Sequence, residues 1–403
     1  MKSSLRLFSE IAVIIGLSGI IAFKYSGIHS KDGEISSLNQ SSAKRDSRLT
    51  IFKPYKVFPG YTLVPEEGTA KVLLLDIFGR TKHVWNVDVD RARLLPNCNL
   101  LVVHGSKWGI TQPKWNALRP VIREYDWDGK VVWEYKGTEP AHHEAVRLEN
   151  GNTIFLHRTM VPEAIREKIT DAYRRSLKIK TDSFQEVTPD GKTVWHWHAY
   201  EHLDINNCGK PGCTRYDDKP LKKKKLSDWT HFNSIGVIPP NKWFRAGDKR
   251  FKPGNILTVP RNWWTAIIID KESGDVVWEY TGDYKGGLGG GHEAHMIREG
   301  LPGAGNVLIF DNGSVVHPGE SFVLEINPVT KKTVWVLDLG KKLYSKAAGS
   351  AQRLPNGNTL VSEDKTGRVL EVTPQKEVVW EFRNSYETNR AKRYPIGYCP
   401  RLK

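Results

Sequence analysis

Two short phrases of alternating hydrophobic and polar residues recur along most of the chain. The first is a β-rich segment, a turn with Asp or Pro and usually Gly, and a strand that reaches a Trp; its copies end at or near Trp85, Trp133, Trp195, Trp278, Trp335 and Trp380. The second is a turn followed by a hydrophobic strand, and its copies cover residues 60–64, 97–103, 150–156, 253–259, 304–310 and 356–362. Asn-Gly and Asp-Gly stand where hairpins need their turns. Each pair of phrases therefore predicts about four short antiparallel strands.

Six such pairs predict an all-β chain folded as a six-bladed β-propeller over residues 51–390, followed by a C-terminal tail at 391–403. The Trp residues are spaced by 48, 62, 83, 57 and 45 positions, and we expect each of them to pack between neighbouring blades. The longer spacings predict insertions. Residues 161–178 have a helical composition after Pro162, and residues 200–228 form a polar loop.

The N-terminus has the features of a targeting segment. Lys2 and Arg6 precede an apolar run at 8–23, which predicts a signal anchor or transmembrane segment at 1–25 with its basic end in the cytoplasm. A cleaved signal peptide is the alternative. Residues 26–50 read as a linker. The propeller is then expected to be periplasmic or extracytoplasmic and attached to the cytoplasmic membrane, where Cys208 and Cys213 either form a small disulfide loop or stay free thiols.

Composition narrows the class of protein. Of 403 residues 39% are hydrophobic and 10% aromatic, enough to build a core, and 14 Trp against three Met favour sheets over a helical bundle. Four Cys are too few for a disulfide-rich scaffold, and their spacing is not that of a zinc finger. The net charge of +15 suits nucleic acid, an acidic membrane surface or small anions, but no nucleic-acid-binding motif accompanies it. The basic run at 222–225 is read as a solvated loop.

Aligning the repeats on their turns brings three histidines into one column. The residue seven positions before the turn is His143, His231 and His292 in three successive blades, and Phe52, Asp90 and Gly349 in the others. Because the innermost strands of a propeller line its central channel, this column predicts a site at the channel. Asn233, two residues after His231, falls on the same face of its strand and is expected to donate hydrogen bonds to a ligand.

A second column follows the next strand of each blade and contains Arg158, Arg261, Asn312 and Asp364. The two guanidinium groups suit an oxyanion, with surface salt bridges as the alternative. His and Arg without a carboxylate cluster favour a tetrahedral anion. Three His also suit zinc or copper, which makes a metal site the main chemical alternative.

Several segments resemble the motifs of the bacterial arylsulfate sulfotransferases of the PAPS-independent type. They are HHEAVRLENGNT, DWTHFNSI, VPRN, GHEA and LIFDNG, in order, and the similarity covers residues 55–385. The resemblance implies a six-bladed propeller that moves a sulfuryl group from a phenolic sulfate ester to an acceptor phenol through a sulfohistidine, without metal, nucleotide or other cofactor. It also implies that His292 is the nucleophile, with His143, His231 and Arg261 supporting it.

The residues that complete this hypothesis are Arg158, Asn233 and Asn312 as substrate-binding groups. His295 is an alternative nucleophile, and Trp263, Trp264 and Phe232 either stack on the phenyl ring or pack within the blades. Family members that dimerise carry a β-sandwich before the propeller, which this chain replaces with about 50 residues, so the resemblance does not extend to oligomeric state. The family's disulfide lies near the nucleophile, whereas Cys208 and Cys213 precede His231.

Two other functions remain as alternatives at this point. The phrase that ends in Val-Trp also resembles quinoprotein dehydrogenase propellers, which have eight blades and an acidic calcium site; six repeats and no acidic inner column count against that class. The other alternative is a non-catalytic extracytoplasmic propeller that acts as a scaffold or binding module, because a fold alone does not determine a function.

Overall fold

A computed structural model describes residues 45–213, 227–313 and 316–403. Over these residues the chain forms six antiparallel sheets, which confirms the six-bladed β-propeller. The predicted anchor, nearly all of the linker and the basic run at 222–225 lie outside the described residues. Within the described part, none of the helices has the length and apolar character needed to cross a membrane.

Blade 1 is built from both ends of the chain. Its N-terminal strands are β2 (Tyr61–Glu67), β3 (Lys71–Leu75) and β4 (Thr81–Trp85). The inner edge is completed by two C-terminal strands that both pair with β2, namely β25 (Glu387–Thr388) and β26 (Lys392–Tyr394). The propeller thus extends past residue 390 into the segment expected to be a tail.

Blades 2 to 5 are four-stranded sheets whose strands follow chain order from the inner to the outer edge. Blade 2 contains β5 (Arg91–Leu94), β6 (Leu100–Val103), β7 (Val121–Tyr125) and β8 (Val131–Lys136). Blade 3 contains β9 (Ala141–Arg147), β10 (Thr153–Met160), β11 (Lys180–Val187) and β12 (Thr193–His198). Blade 4 contains β13 (Gly236–Val237), β14 (Ile256–Thr258), β15 (Ala266–Ile269) and β16 (Val276–Tyr280). Blade 5 contains β17 (Glu293–Met296), β18 (Val307–Asp311), β19 (Phe322–Asn327) and β20 (Lys332–Asp338).

Blade 6 has a fifth strand from the start of the described chain. Its own strands are β21 (Ser350–Arg353), β22 (Thr359–Glu363), β23 (Arg368–Val372) and β24 (Val378–Arg383). The additional strand, β1 (Leu49–Phe52), pairs with the outermost strand, β24. Phe52, which the repeat alignment placed in the inner column, therefore lies at the outer edge of blade 6. That expectation was wrong because the alignment assumed that blade 1 supplies its own inner strand.

The repeated Trp residues join each blade to the next. Each indole Nε1–H donates to a backbone carbonyl in a turn of the following blade, at 2.7–3.0 Å: Trp85 to Asp126, Trp133 to Pro189, Trp195 to Lys271, Trp278 to Pro328, Trp335 to Pro374 and Trp380 to Ile77. The last bond crosses from blade 6 to blade 1 and closes the ring. The expectation that these Trp pack between blades is met at every blade.

The insertions contain short helices. Single-turn α-helices occur at α1 (Pro113–Asn116), α2 (Glu163–Arg166), α3 (Ala172–Arg175), α4 (Ala199–His202) and α5 (Lys242–Arg245), and 3₁₀ turns at Gly109–Thr111, Lys249–Phe251, Arg261–Trp263, Gly340–Lys342 and Asp364–Thr366. The helix expected over 161–178 is thus two separate turns. The helical backbone is interrupted between them. There buried Ile169 packs into the core, and the amide of Thr170 donates to Asn206 Oδ1 at 2.9 Å.

Two disulfides fasten the described chain. Cys208 is bonded to Cys213, which decides between the two alternatives left open by the sequence. Cys98 is bonded to Cys399, 301 positions away, and this bond ties the C-terminus to blade 2. The sequence analysis did not anticipate the second pair. Because disulfides persist in oxidising compartments, the two bonds indicate an extracytoplasmic protein.

Candidate active site

Three imidazoles, from blades 3, 4 and 5, lie close to one another. The rings of His143 and His231 lie with their centroids 5.4 Å apart. His292 is only 4% exposed, and its charge state is influenced by His231. His143 and His231 have positive φ angles of 59° and 53°, a conformation that is uncommon for residues other than glycine and that clusters at functional sites.

The tautomer of His292 is set by Asn312. The amide nitrogen of Asn312 donates to the carbonyls of Ser345 and Ala348, at 2.7 and 2.8 Å, so its Oδ1 must be the atom that faces His292. Oδ1 lies 2.5 Å from His292 Nδ1. Since an amide oxygen only accepts, Nδ1 carries the proton and the lone pair is on Nε2. Asn312, predicted to be a substrate-binding residue, contacts the candidate nucleophile.

His231 is oriented by a carboxylate in the same way. Its Nδ1 lies 2.7 Å from Asp228 Oδ2, so Nδ1 donates and Nε2 again carries the lone pair. Burial alone would raise the pKa of Asp228, but the adjacent His231 ring holds it below its usual value.

His143 is the end of a three-residue relay. His142 Nε2 lies 3.1 Å from Asp182 Oδ1, although not in ideal hydrogen-bond alignment. Burial acts against ionisation of Asp182, but contact with His142 lowers its pKa, so this oxygen accepts and His142 Nε2 carries a proton. His142 Nδ1 is then the acceptor for His143 Nδ1 at 2.7 Å. The lone pair of His143 is therefore also on Nε2, and all three column histidines share one tautomer.

Two guanidinium groups act on His292. Burial lowers the pKa of His292 well below its usual value, and Arg261 and then Arg390 lower it further by charge repulsion. Arg261 stands in a 3₁₀ turn whose first amide donates to the carbonyl of His231, at 3.1 Å. Arg390 is buried and donates to the carbonyl of Asn233 at 2.6 Å, with a longer contact of 3.4 Å to the carbonyl of His143. A neutral, nucleophilic imidazole beside two guanidinium groups suits an anionic substrate.

The structure gives Asn233 and Arg158 contacts within the protein. Asn233 is fully buried, and its Nδ2 donates to the carbonyl of Gly291, immediately before His292. Arg158 lies opposite Asp182 in the strand register and influences the charge of both Asp182 and Asp228. Asn233 therefore bonds the residue before His292, and Arg158 acts on the two carboxylates through its charge.

Arg390 and Asn389 occupy the place that the repeat alignment gave to Phe52. The amide of Asn389 donates to the carbonyl of Pro65, as the amide of His292 donates to that of Phe310. Sequence reasoning missed these residues because their strand joins blade 1 from the far end of the chain. It also missed His142, Asp182 and Asp228. The adjacent His-His pair and the Asp-Trp-Thr-His spacing were the available signals.

The other candidates are held by contacts within the protein. His295 Nδ1 is 3.7 Å from Glu293, which also contacts Lys392, and burial followed by the Lys392 charge lowers the pKa of His295 to about 4. Trp263, Trp264 and Phe232 are at most 5% exposed, which favours packing over stacking on a ligand.

The loop of residues 286–291 packs closely against the end of β18 and the residues that follow it. A Cβ on Gly289 would lie 2.4 Å from the carbonyl oxygen of Gly313. The amide of Gly289 donates to Asp311, 3.0 Å away. The disulfide loop reaches the same region in space, because Lys210 Nζ contacts the carbonyl of Gly286 and its amide donates to that of Trp263.

Metal-ligand geometry within the described residues occurs away from the channel. One group of three potential metal ligands has its ligand atoms within 4.8 Å of one another in the described residues. It consists of His196, His198 and Glu201 in blade 3. The column histidines are not such a set in the described chain.

Comparison with known proteins places the chain by family. The family model of the arylsulfotransferases (ASST) matches residues 121–385. No curated protein sequence matches the chain. Among solved structures, a protein of unknown function from Bacteroides caccae superimposes with a TM-score of 0.51 at 11% identity, over 83% of this chain and 98% of that one. A streptogramin B lyase gives a TM-score of 0.43 at 11% identity, over 84% of this chain and 88% of that one. The likeness to the Bacteroides caccae protein shows the fold alone.

Proposed function

This chain belongs to the arylsulfotransferase (ASST) family, and we propose from that premise that it moves a sulfuryl group from a phenolic sulfate ester to an acceptor phenol through a sulfohistidine at His292. The observation that carries the proposal is the shared tautomer of the column histidines. Each has its Nδ1 engaged within the protein and its Nε2 available for chemistry.

In the first half-reaction, the lone pair of His292 Nε2 attacks sulfur. The N–S bond forms as the bond from sulfur to the aryl oxygen breaks, and the phenolate leaves with that electron pair. Asn312 Oδ1 accepts a hydrogen bond from His292 Nδ1–H throughout this step. It therefore stabilises the positive charge that develops on the ring.

The leaving phenolate needs a proton. His231 suits this role because Asp228 holds its Nδ1–H: from the imidazolium form, Nε2 gives its proton to the phenolate, and the neutral ring that remains has its lone pair on Nε2. Burial and the neighbouring His142 lower the pKa of His143. In the second half-reaction His231 takes the proton of the acceptor phenol, whose oxygen attacks sulfur. The N–S bond then breaks and neutral His292 is restored.

Arg261 is the proposed ligand for the sulfuryl oxygens, whose charge is most exposed in the transition state. Its electrostatic effect on His292 supports this placement. Asn233 and Arg158, first expected to bind substrate, act in this proposal on the protein itself: Asn233 bonds the carbonyl of Gly291, and Arg158 acts through its charge on Asp182 and Asp228. The propeller would work outside the cytoplasm, held at the membrane by residues 1–25.

The test is release of nitrophenol from 4-nitrophenyl sulfate by the full chain, with and without added phenol. Release that requires phenol and disappears in His292→Asn, but persists in the matched variant His295→Asn, supports the proposal. A peptide containing His292 should gain the mass of one sulfuryl group when donor is added alone. Release independent of an acceptor would indicate a sulfatase. A folded protein inert toward a panel of aryl sulfates would indicate a binding module.

A further inference from the structure

A cluster of metal-ligand side chains lies on the outer part of blade 3. His196 and His198 are two residues apart on β12 and so project from the same face of the sheet. Helix α4 follows directly and brings Glu201 to them. One ligand atom from each of the three residues lies within 4.8 Å of the others. Trp195 and Trp197 occupy the opposite face, where they donate to carbonyls in blade 4.

The contacts of His198 are those of a metal ligand with its second ring nitrogen held. Ser183, its cross-strand neighbour, places Oγ 2.6 Å from His198 Nδ1, which leaves Nε2 to face outward. Histidine ligands of metals usually donate their other N–H to an oxygen in this way, and that bond fixes the ring.

A second observation points to the same place. His157 is the other cross-strand neighbour of Ser183, and its ring centroid lies 6.2 Å from that of His198. His157 is buried, and its Nδ1 has no hydrogen-bond partner among the described residues. Leaving a buried polar atom without a partner costs free energy. A polar group or ion beside the rings of His157 and His198 would therefore stabilise this part of the protein.

We propose that His196, His198 and Glu201 bind one divalent transition-metal ion of the zinc type, with water as a fourth ligand. Two imidazoles and a carboxylate suit zinc, whereas calcium and magnesium prefer oxygen ligands. Tetrahedral bonds of 2.0–2.1 Å place ligand atoms about 3.3 Å apart, which needs only a modest closure by the exposed Glu201 side chain. The site does not depend on sulfuryl transfer.

The position of this site suggests what the ion does. It would tie β12 to α4, and α4 leads into the segment that contains the Cys208–Cys213 disulfide. That segment hydrogen-bonds to the carbonyl of Trp263, two residues after Arg261. The ion would therefore stabilise the route by which the disulfide loop reaches the channel.

The experiment uses the full chain without a polyhistidine tag, stripped with chelator and titrated with Co²⁺, followed by competition with Zn²⁺. One equivalent should bind and give the visible absorption of tetrahedral Co²⁺. We expect His196→Ala and Glu201→Ala to weaken binding at least tenfold, and Ser183→Ala to weaken it by about 10- to 100-fold. The matched control His202→Ala, whose ring stacks on Trp197, should bind as the parent does.

The channel histidines are the competing location for an ion, so His292→Asn is titrated in parallel. Unchanged binding in His292→Asn together with loss in His196→Ala supports the proposal. Loss in His292→Asn, equal binding by His196→Ala, Glu201→Ala and the parent, or no stoichiometric binding by the parent would each overturn it. Circular dichroism of every variant shows that it is folded; His196 and Glu201 are exposed, so their removal is not expected to disturb the core.

Discussion

Oδ1 of Asn312 lies 2.5 Å from Nδ1 of His292, and the amide nitrogen of the same Asn is held by the carbonyls of Ser345 and Ala348. The two backbone carbonyls come from the segment that leads into blade 6, whereas His292 belongs to blade 5. The protonation pattern of the candidate nucleophile is therefore determined by the adjoining blade.

Replacing Asn312 with Leu should lower kcat for 4-nitrophenyl sulfate by about 10- to 100-fold, because His292 loses the acceptor that fixes its tautomer and an unsatisfied bond costs about 1–3 kcal/mol. KM should change less, since the Asn312 side chain contacts the protein. Ser321→Ala is the matched control: its hydroxyl bonds backbone groups of Asn312 and Ser345, so its loss removes a neighbouring hydrogen bond while the Asn312 side chain keeps its own bond to His292. A parental kcat in Asn312→Leu would contradict the assignment.

In a plot of kcat/KM against pH, the midpoint of the acidic limb should lie below 6.5, the ordinary pKa of histidine. Burial and the charges of Arg261 and Arg390 lower the pKa of His292. As the pH falls through that lowered pKa, His292 gains a proton and loses its lone pair. Arg390→Gln removes one positive charge, so the limb should move to higher pH.

Arg393→Gln is the control for this profile. Arg393 is as deeply buried and donates to Glu371, but it is not among the main charges acting on His292. Its replacement should leave the limb in place while lowering stability. If both variants shifted the limb equally, the effect would reflect general loosening of the channel.

Replacing Cys98 and Cys399 together by Ser should destabilise the fold by about 2–5 kcal/mol, because that bond closes a long loop between chain regions 301 positions apart. Replacing Cys208 and Cys213, which close a loop of 5 positions, should cost less stability. The smaller loop contacts the segment that contains Arg261, so its loss should reduce activity instead. Urea unfolding and nitrophenol release on both double variants test this contrast.

Trp380→Phe should destabilise the propeller by about 2–3 kcal/mol, since it removes a buried indole and the hydrogen bond to Ile77 that closes the ring. Trp133→Phe removes the equivalent bond to Pro189 from a partly exposed indole, and should cost about 1 kcal/mol. Thermal unfolding of both variants gives the comparison. Equal losses would mean that ring closure has no special weight among the blade contacts.

The sequence by itself determined the number of blades, the spacing of the interblade Trp and the histidine column. These features are local and repeat: alternation within a strand and a turn at a fixed offset put equivalent residues at equivalent places in each sheet. For the same reason the sequence predicts that His143, His231 and His292 occupy equivalent positions in three successive blades.

Only the tertiary structure decided which residues complete the channel. Blade 1 takes its inner strands from residues 387–394, so Asn389 and Arg390 stand where the alignment put Phe52. The tertiary structure also decided the Cys98–Cys399 bond and the hydrogen bonds from Asn312 to the carbonyls that precede blade 6. These contacts join segments that no repeat relates, and hydrophobic patterning describes which face of a strand is buried without saying which distant strand will lie beside it.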